Sequence, residues 1–284
     1  MTSSKPRIVL LTGTSSGIGY AAALAFARAG DKVVATMRNP ATAERLTADG
    51  ADAAHPIECR TLDVTDAAAV ATTVDAVLAD HGRIDVLVNN AGGGHSGTLE
   101  ETPMAEIRGQ MELNYFSVVS MIKAVLPAMR QQGSGRILTV SSMTGVVGLP
   151  FRDAYAASKF AVEGLVESLA PVAASFGVHL SLIEPGPVRT GFFTAMYEAS
   201  SAPAAASPYA ALQKAYEQAS AARLAAGGQP PEELGALLLE ISRAEKPQLR
   251  YQSSAMTTAW AGQKLVDPTG MSVLGALRGM LGQG

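Results

Sequence analysis

Residues 7–19 read Arg-Ile-Val-Leu-Leu-Thr-Gly-Thr-Ser-Ser-Gly-Ile-Gly, and an alanine-rich segment follows them as far as residue 28. The apolar, β-branched run predicts a buried strand, and the alanine-rich segment predicts a helix. Glycines between them allow a sharp turn that brings the backbone close to a pyrophosphate, which the free amides at the helix start would bind. The candidate cofactor contacts in this turn are Gly13, Ser15, Ser16, Gly17, Ile18 and Gly19. A turn that only connects the strand to the helix is the plainer alternative.

The same turn also matches Gly-x-Ser-x-Gly, the pattern around the nucleophile of many serine hydrolases. In that alternative Ser15 would be the nucleophile, and Asp153 and His179 would complete the triad. Such a nucleophile lies on a central strand whose neighbours precede it in sequence, whereas only twelve residues precede Gly13. The position of the turn therefore favours a phosphate site over a hydrolase.

The alternation of strand and helix continues along the chain. Apolar runs predict a first strand at residues 7–11 and further strands at residues 32–36, 57–62, 86–88, 136–140, 179–183 and 249–252. Helical spacing predicts helices at residues 18–28, 41–48, 67–80, 104–130 with a break near Asn114, 153–174, 208–226 and 231–244. Repeated βα units form parallel sheets with helices on both faces, so we predict an α/β, doubly wound fold. At about 30 residues per unit, the repeats predict one domain over residues 1–284 with two extra segments, 191–230 and a tail at 254–284.

The composition disfavours several other classes of protein. The 22 Lys and Arg residues nearly balance the 25 Asp and Glu residues, so no basic patch favours binding to nucleic acid. No apolar run is long enough to span a bilayer, the short run near residue 8 does not resemble a signal peptide, and the four histidines lack metal-ligand spacing. Cys59 is the single cysteine, so an internal disulfide is impossible and a cytoplasmic location is expected.

Tyr155 and Lys159 are four residues apart in a predicted helix and therefore share a face. Because an ammonium favours a nearby phenolate, Lys159 is expected to lower the pKa of Tyr155 towards the range of a general acid and base. A tyrosine packed in the core beside a solvated lysine is the alternative. Ser142 follows a central strand at the edge where open α/β sheets bind ligands. Asn114 interrupts an apolar helix, where an amide needs a functional or a structural hydrogen-bond partner.

Together these motifs resemble the short-chain dehydrogenase/reductase family over roughly residues 5–253. In the cofactor region, the sequence is most similar to the members of that family that act on steroids and retinoids. Thr-Gly-x-x-x-Gly-Ile-Gly at residues 12–19, Asn-Asn-Ala-Gly at 89–92 and Glu-Pro-Gly-Pro-Val-Arg-Thr at 184–190 are similar to that family's cofactor elements. The positions of its catalytic tetrad are taken by Asn114, Ser142, Tyr155 and Lys159.

The resemblance implies a Rossmann-type sheet in the order 3-2-1-4-5-6-7 and reversible hydride transfer between a nicotinamide and a carbonyl or alcohol. Tyr155 would be the general acid and base, Lys159 would lower its pKa and bond the nicotinamide ribose, and Ser142 would bond the substrate oxygen. Asn114 would hold a water that links the lysine to solvent. Further implied cofactor contacts are Asp63, Val64, Asn90, Ala91, Gly92, Tyr155, Lys159, Pro185, Gly186, Val188 and Thr190. The family also implies a homodimer or homotetramer.

Arg38 follows the second strand, where no acidic residue is present. An acidic residue there would bond the ribose 2′-hydroxyl of NAD, whereas an arginine accommodates the 2′-phosphate of NADP. The sequence therefore favours NADP over NAD, with Ser15 or Ser16 as supporting donors. A solvated arginine at the end of the strand is the alternative.

Residues 191–230 are expected to fold over the nicotinamide as a helical lid. Apolar side chains there and after residue 142 predict a hydrophobic ketone or secondary alcohol of steroid, retinoid, polyketide or aromatic type, unless they only seat the lid. The candidate substrate contacts are Ser142, Val146, Leu149, Tyr155, Phe192 and Met196. His95 could reach the mouth of the site, but it is expected to be a solvated loop residue. A non-catalytic, NADP-sensing regulator of the same fold is the alternative function, although it would not need the tetrad.

Overall fold

A computed structural model describes residues 5–201, 207–267 and 269–281. Its centre is a seven-stranded sheet in the order β3-β2-β1-β4-β5-β6-β7, in which every neighbouring pair is parallel. The strands are β1 (Ile8–Thr12), β2 (Lys32–Met37), β3 (Glu58–Thr61), β4 (Val86–Asn89), β5 (Gly135–Val140), β6 (Val178–Glu184) and β7 (Arg250–Gln252). The predicted doubly wound sheet and its strand order are confirmed.

Helices lie on both faces of the sheet. They are α1 (Gly17–Arg28), α2 (Ala43–Asp49), α3 (Ala67–His81), α4 (Met104–Met111), α5 (Ser117–Gln132), α6 (Asp153–Ala174), α7 (Phe192–Ala199), α8 (Ala210–Gly227), α9 (Pro231–Arg243), α10 (Ala255–Val266) and α11 (Met271–Met280). One apolar layer contains side chains of α1, α2 and α9, and the other contains side chains of α3, α5 and α6. All five residues of β1 are buried between these layers, which explains the uninterrupted apolar run in the sequence.

The two segments outside the βα repeat are helical. Residues 191–230 contain α7 and α8, and the tail contains α10 and α11. Ser254 and Thr257 form a reciprocal capping box at the start of α10. Within the described ranges, no helix combines the length and apolar character needed to cross a membrane.

The carboxyl ends of the parallel strands place four polar segments at one edge of the sheet. The turn after β1, the loop after β4, Ser141 and Ser142 after β5, and residues 184–190 after β6 all leave the sheet there. Ligands of open α/β sheets bind at this edge, where the strand order reverses between β1 and β4.

Candidate active site

Thr12 and Asn90 join the first and fourth strands at this edge. Thr12 Oγ1 accepts hydrogen bonds from the amides of Asn90 and Ala91 at 3.0 and 3.1 Å. In return, Asn90 Nδ2 donates to the carbonyls of Thr12 and Gly13 at 3.0 and 2.9 Å. A Cβ at position 13 would lie 2.7 Å from Ala91 Cα, and φ is +71° there, so this close approach requires glycine. The glycine turn and the loop after β4 are thereby held as one unit.

The start of α1 is open to an anion. Ser16 precedes the helix in an extended conformation, and its side chain makes no capping hydrogen bond. After Thr14, the next backbone amide that donates a hydrogen bond within the described chain is that of Tyr20, which donates to Ser16 O at 3.3 Å. The amides of residues 15–19 therefore have no hydrogen-bond partner in the described chain, and Ser15 and Ser16 are exposed beside them. This arrangement fits the predicted phosphate site.

Asn114 lies in a π-helical turn, Glu112–Phe116, between α4 and α5. Its Nδ2 donates to Gly93 O at 2.9 Å and to Ser158 Oγ at 3.0 Å, while its Oδ1 accepts from Gly93 N at 3.0 Å. The predicted break in the long helix is thus a π turn, which commonly marks a functional site. The buried amide connects the loop after β4 to α6.

Lys159 is buried and donates from Nζ to the carbonyl of Val140, 2.9 Å away at the end of β5. A Cβ at position 92 would lie 2.9 Å from Asn114 Oδ1 and 3.7 Å from Lys159 Nζ, so these three residues meet. Burial lowers the pKa of Lys159 to about 8, and the Glu163 carboxylate acts in the opposite direction. The lysine is therefore a core-facing group, and the alternative of a solvated side chain is wrong.

Tyr155 is also buried, one turn before Lys159 on α6. Burial raises the pKa of Tyr155, while the Ser142 hydroxyl and the Arg152 guanidinium lower it. The pKa of Tyr155 is therefore raised overall, and the expected lowering by Lys159 is not found. Lys159 Nζ lies 5.9 Å from the centroid of the tyrosine ring and is bonded to Val140. Ser142 itself is half-buried, and its Oγ accepts a hydrogen bond from Thr144 N at 3.0 Å.

A buried carboxylate cluster lies behind Lys159. Glu163, one turn further along α6, accepts from Arg250 Nε at 3.0 Å, and Glu184 Oε1 lies 3.4 Å from the same nitrogen. Burial raises the pKa of Glu163 to about 7, Glu184 also raises it, and the Ser141 hydroxyl and Arg250 lower it. Within this cluster, Glu163 raises the pKa of Lys159 and so favours its charged form.

Helix α7 covers the tyrosine. The rings of Tyr155 and Phe192 have centroids 5.8 Å apart, and a Cβ at position 94 would lie 2.7 Å from Met196 Cγ. At the other end of the segment, a Cβ at position 17 would lie 3.1 Å from Thr190 Cγ2, which puts Thr190 against the glycine turn. The structure thus brings Phe192, Met196 and Thr190 to the predicted site.

Other predicted contacts surround this centre at different distances. Arg38 is exposed after β2. Hydrogen bonds from the amide and the hydroxyl of Thr65 lower the pKa of the exposed Asp63, the charge of Arg38 adds to this effect, and Val64 beside it is buried. Four further predicted contact residues are hydrogen-bonded to other parts of the chain. Pro185 O accepts from Met143 N at 2.9 Å, and Gly186 N donates to Ser253 Oγ at 3.3 Å. Val188 forms a β-bridge with Gln229, and Val146 O accepts from Lys264 Nζ. Leu149 is half-buried in the same loop.

His95 is not solvated as expected, and the residues of the alternative hydrolase triad do not come together. His95 is 4% exposed, and its Nε2 lies 2.9 Å from Glu106 Oε2, because α4 packs over the loop after β4. His179 is in the amino-terminal part of β6, opposite Arg136 of β5, whereas Ser15 follows the carboxyl end of β1. In a parallel sheet these positions are at opposite edges, so Ser15 and His179 cannot form a triad.

Several residues of the site were not identified from the sequence. Thr12 Oγ1 accepts a hydrogen bond from the backbone amide of Asn90, and Gln110 and Ser158 accept hydrogen bonds from Asn114 Nδ2. The charge of Arg152 acts on Tyr155. A threonine at the strand end and a serine before Lys159 were visible as part of the motifs. Nothing in the sequence pattern indicated that Arg152 is buried.

Comparison with known proteins agrees with this geometry. The family described as short chain dehydrogenase matches residues 7–201. Human 17-beta-hydroxysteroid dehydrogenase type 1 is 38% identical over 278 residues, covering 95% of this chain and 84% of that protein. Bovine retinol dehydrogenase 8 is 37% identical over 276 residues, covering 93% of this chain and 87% of that protein.

Solved structures show the same architecture. A short-chain dehydrogenase from Streptomyces avermitilis has a TM-score of 0.84 at 32% identity, covering 98% of this chain and 99% of that one. An alcohol dehydrogenase from Thermococcus sibiricus, complexed with 5-hydroxy-NADP, has a TM-score of 0.70 at 25% identity, covering 88% and 97%. A Burkholderia phymatum protein in complex with NAD has a TM-score of 0.82 at 24% identity, covering 94% and 95%. Of these solved structures, one thus contains an NADP derivative and another contains NAD.

Proposed function

The chain belongs to the short-chain dehydrogenase family, and from its site we propose that it is an NADP(H)-dependent oxidoreductase. In this proposal it transfers a hydride reversibly between the nicotinamide and a hydrophobic ketone or secondary alcohol of steroid-, retinoid-, polyketide- or aromatic-like type. The observation that carries the proposal is the buried pair of Tyr155 and Lys159 beside Gly92 and Asn114, at the edge where the open glycine turn would bind a dinucleotide.

The residues at this edge divide the proposed chemistry between them. Tyr155 gives its proton to the carbonyl oxygen during reduction and removes the alcohol proton during oxidation. Ser142 donates a hydrogen bond to the same substrate oxygen, where negative charge develops. A bound nicotinamide supplies or accepts the hydride.

Lys159 and Asn114 prepare the tyrosine. The lysine ammonium, anchored on Val140 O, stabilises negative charge on the phenol and bonds the cofactor ribose. Asn114 keeps the loop at Gly93 in place. In this proposal it also holds a water that links Lys159 to solvent. The Ser142 hydroxyl and the Arg152 charge add to the stabilisation of phenolate.

NADP is the proposed cofactor, because Arg38 is exposed beside the end of β2 and no acidic residue occupies that position. The pyrophosphate binds the amides of residues 15–19, with Ser15 and Ser16 as donors to the cofactor phosphates. Asp63 and Val64 contact the adenine. On the nicotinamide side the proposed contacts are Asn90, Ala91, Gly92, Pro185, Gly186, Val188 and Thr190.

The proposed substrate pocket lies between α6 and residues 191–230, which act as the lid of a single domain. Phe192 and Met196 line it from the lid, and Val146 and Leu149 line it from the loop after Ser142. Because Tyr155 and Met196 are both buried, a substrate has to separate the lid from α6. The steroid and retinol dehydrogenases among the relatives support a hydrophobic substrate. We also propose that the protein is cytoplasmic and forms a homodimer or homotetramer.

The test follows the loss of NADPH or NADH absorbance with a panel of ketones and quinones that range from small to steroid-sized. We expect reduction of apolar ketones with a clear preference for NADPH. Equal use of NADH would overturn the role of Arg38. Bound cofactor without turnover of any member would instead favour the non-catalytic regulator.

A further inference from the structure

Arg152 is the residue immediately before α6 and is only 4% exposed. Its guanidinium donates to the carbonyl of Phe151 at 3.2 Å and to Tyr197 Oη at 3.1 Å. Its Cζ lies 5.5 Å from the ring centroid of Tyr197 and 5.9 Å from that of Tyr216. The cation is therefore held between the start of α6 and the two helices of the lid.

No carboxylate neutralises this charge. All 25 Asp and Glu residues lie in the described ranges, and Arg152 forms an ion pair with none of them. The adjacent Asp153 is exposed and accepts a hydrogen bond from Leu99 N at 2.8 Å. Buried arginines are almost always paired, and a cation at the positive end of a helix is further disfavoured. The tyrosine rings compensate this charge only in part.

The local backbone is strained at the same place. Phe151 has φ of +57° and is the single non-glycine residue of the described chain with a positive value. Such a conformation is costly for a bulky residue and persists where surrounding contacts require it. Here it sets the direction of the chain into Arg152, and the Phe151 ring packs against Tyr216 at a centroid distance of 5.7 Å.

Arg152 is one helical turn from the proposed general acid and base. Its charge acts on Tyr155, and both residues face α7, the tyrosine through Phe192 and the arginine through Tyr197. A substrate that reacts at Tyr155 between α6 and the lid therefore lies alongside the guanidinium.

We propose that Arg152 binds a carboxylate of the substrate, so that the preferred substrates are hydrophobic oxo acids or the corresponding hydroxy acids. This inference rests on the proposed function and specifies its substrate class. The planar guanidinium matches a carboxylate with two parallel hydrogen bonds. Phe192, Tyr197 and Tyr216 surround the remainder of the substrate with aromatic rings.

The test uses phenyl ketones that carry a terminal carboxylate on alkyl chains of increasing length, each paired with its primary amide. Turnover with NADPH gives kcat/KM, and calorimetry on the cofactor-loaded protein gives binding where no turnover occurs. In the wild type we expect at least one acid to exceed its amide by about 10- to 100-fold, as for a hydrogen bond to a charged group. Arg152→Gln should reduce this ratio to near one. Arg223→Gln is the matched control, because exposed Arg223 stacks on Tyr216 at 5.6 Å.

The outcomes separate this inference from the proposed function. Reduction of the amides with no advantage for any acid overturns the role of Arg152 and leaves the oxidoreductase intact. Preferential binding of acids without reduction of any ketone supports the role of Arg152 and overturns the proposed oxidoreductase function. An equal loss for acid and amide in Arg152→Gln shows that the arginine only supports the lid. If that variant fails to bind cofactor, Arg152→Lys, which retains the charge, must retain part of the acid preference.

Discussion

Lys159 Nζ donates a hydrogen bond to the carbonyl of Val140 at 2.9 Å, which fixes the ammonium at the carboxyl end of β5. The lysine side chain therefore has a defined position between Gly92 and the carboxylate of Glu163. In the proposed mechanism, this charge stabilises phenolate at Tyr155 when the tyrosine loses its proton.

Replacing the lysine tests that function. Lys159→Met should lower kcat by about 100-fold or more, because the phenolate loses its stabilising charge. It should also weaken cofactor binding, which loses a ribose contact. Steady-state kinetics and fluorescence titration with NADPH measure the two effects. Lys123→Met, at an exposed position of α5, is the control, and similar rates in both variants would contradict the assignment.

The charge on Glu163 should make folding stability depend on pH. Its pKa is about 7 in the folded protein, against an ordinary value of 4.5, so the folded state binds this proton more tightly. The stability from this group is complete below pH 4.5 and is lost as the pH rises through 7. Glu163→Gln should therefore increase the free energy of unfolding relative to wild type more at pH 8 than at pH 5, by at most about 3 kcal/mol.

Urea denaturation at the two pH values measures this difference. Glu167→Gln is the matched control, because Glu167 also bonds Arg250, at 2.7 Å, but is exposed. If the stability of Glu163→Gln relative to wild type is lower at pH 8 than at pH 5, the buried carboxylate is charged and stabilises the fold.

The packing of the glycine turn predicts a sharp difference between two alanine variants. In Gly19→Ala the new Cβ would overlap Gly13 O and Asn90 Nδ2, so we expect loss of NADPH binding and a large fall in melting temperature. A Cβ at Gly164 on α6 meets no atom within 4 Å, so Gly164→Ala should stabilise the helix by about 1 kcal/mol. Normal cofactor affinity in Gly19→Ala would contradict the assigned turn.

Arg38 is predicted to choose between the two nicotinamide cofactors. Arg38→Ala should weaken NADPH binding by about 10- to 100-fold, the loss of a hydrogen bond to a charged group, and leave NADH binding unchanged. Arg45→Ala is the control, since that arginine is exposed on α2 and pairs with Asp49. If Arg38→Ala weakens both cofactors equally, the arginine has no contact specific to the 2′-phosphate.

The fold, and the placement of Tyr155 and Lys159 on one helix, can be predicted from the sequence because local patterns specify them. Apolar runs separated by amphipathic segments predict the strand order once the family pattern is recognised, and a spacing of four residues predicts that Tyr155 and Lys159 share a face. The bond from Lys159 to Val140 and the burial of His95 depend on residues far apart in sequence, which no periodicity describes.

Electrostatics was the least predictable property. The expected lowering of the pKa of Tyr155 considered one neighbouring charge, whereas the desolvation of the phenol in the folded chain is larger. Arg152 could not be predicted as a site residue either, because its position also depends on how the chain folds around it. Its burial follows from the packing of α7 and α8 over α6, which the sequence does not encode locally.

The activity of Tyr155→Phe tests the proposed acid–base role of this tyrosine. With a ketone that the wild type reduces, we expect the variant to bind NADPH with wild-type affinity, because the ring still packs against Phe192, but to consume none of it. Consumption of NADPH at the wild-type rate would contradict the central claim that Tyr155 is the general acid and base of this site.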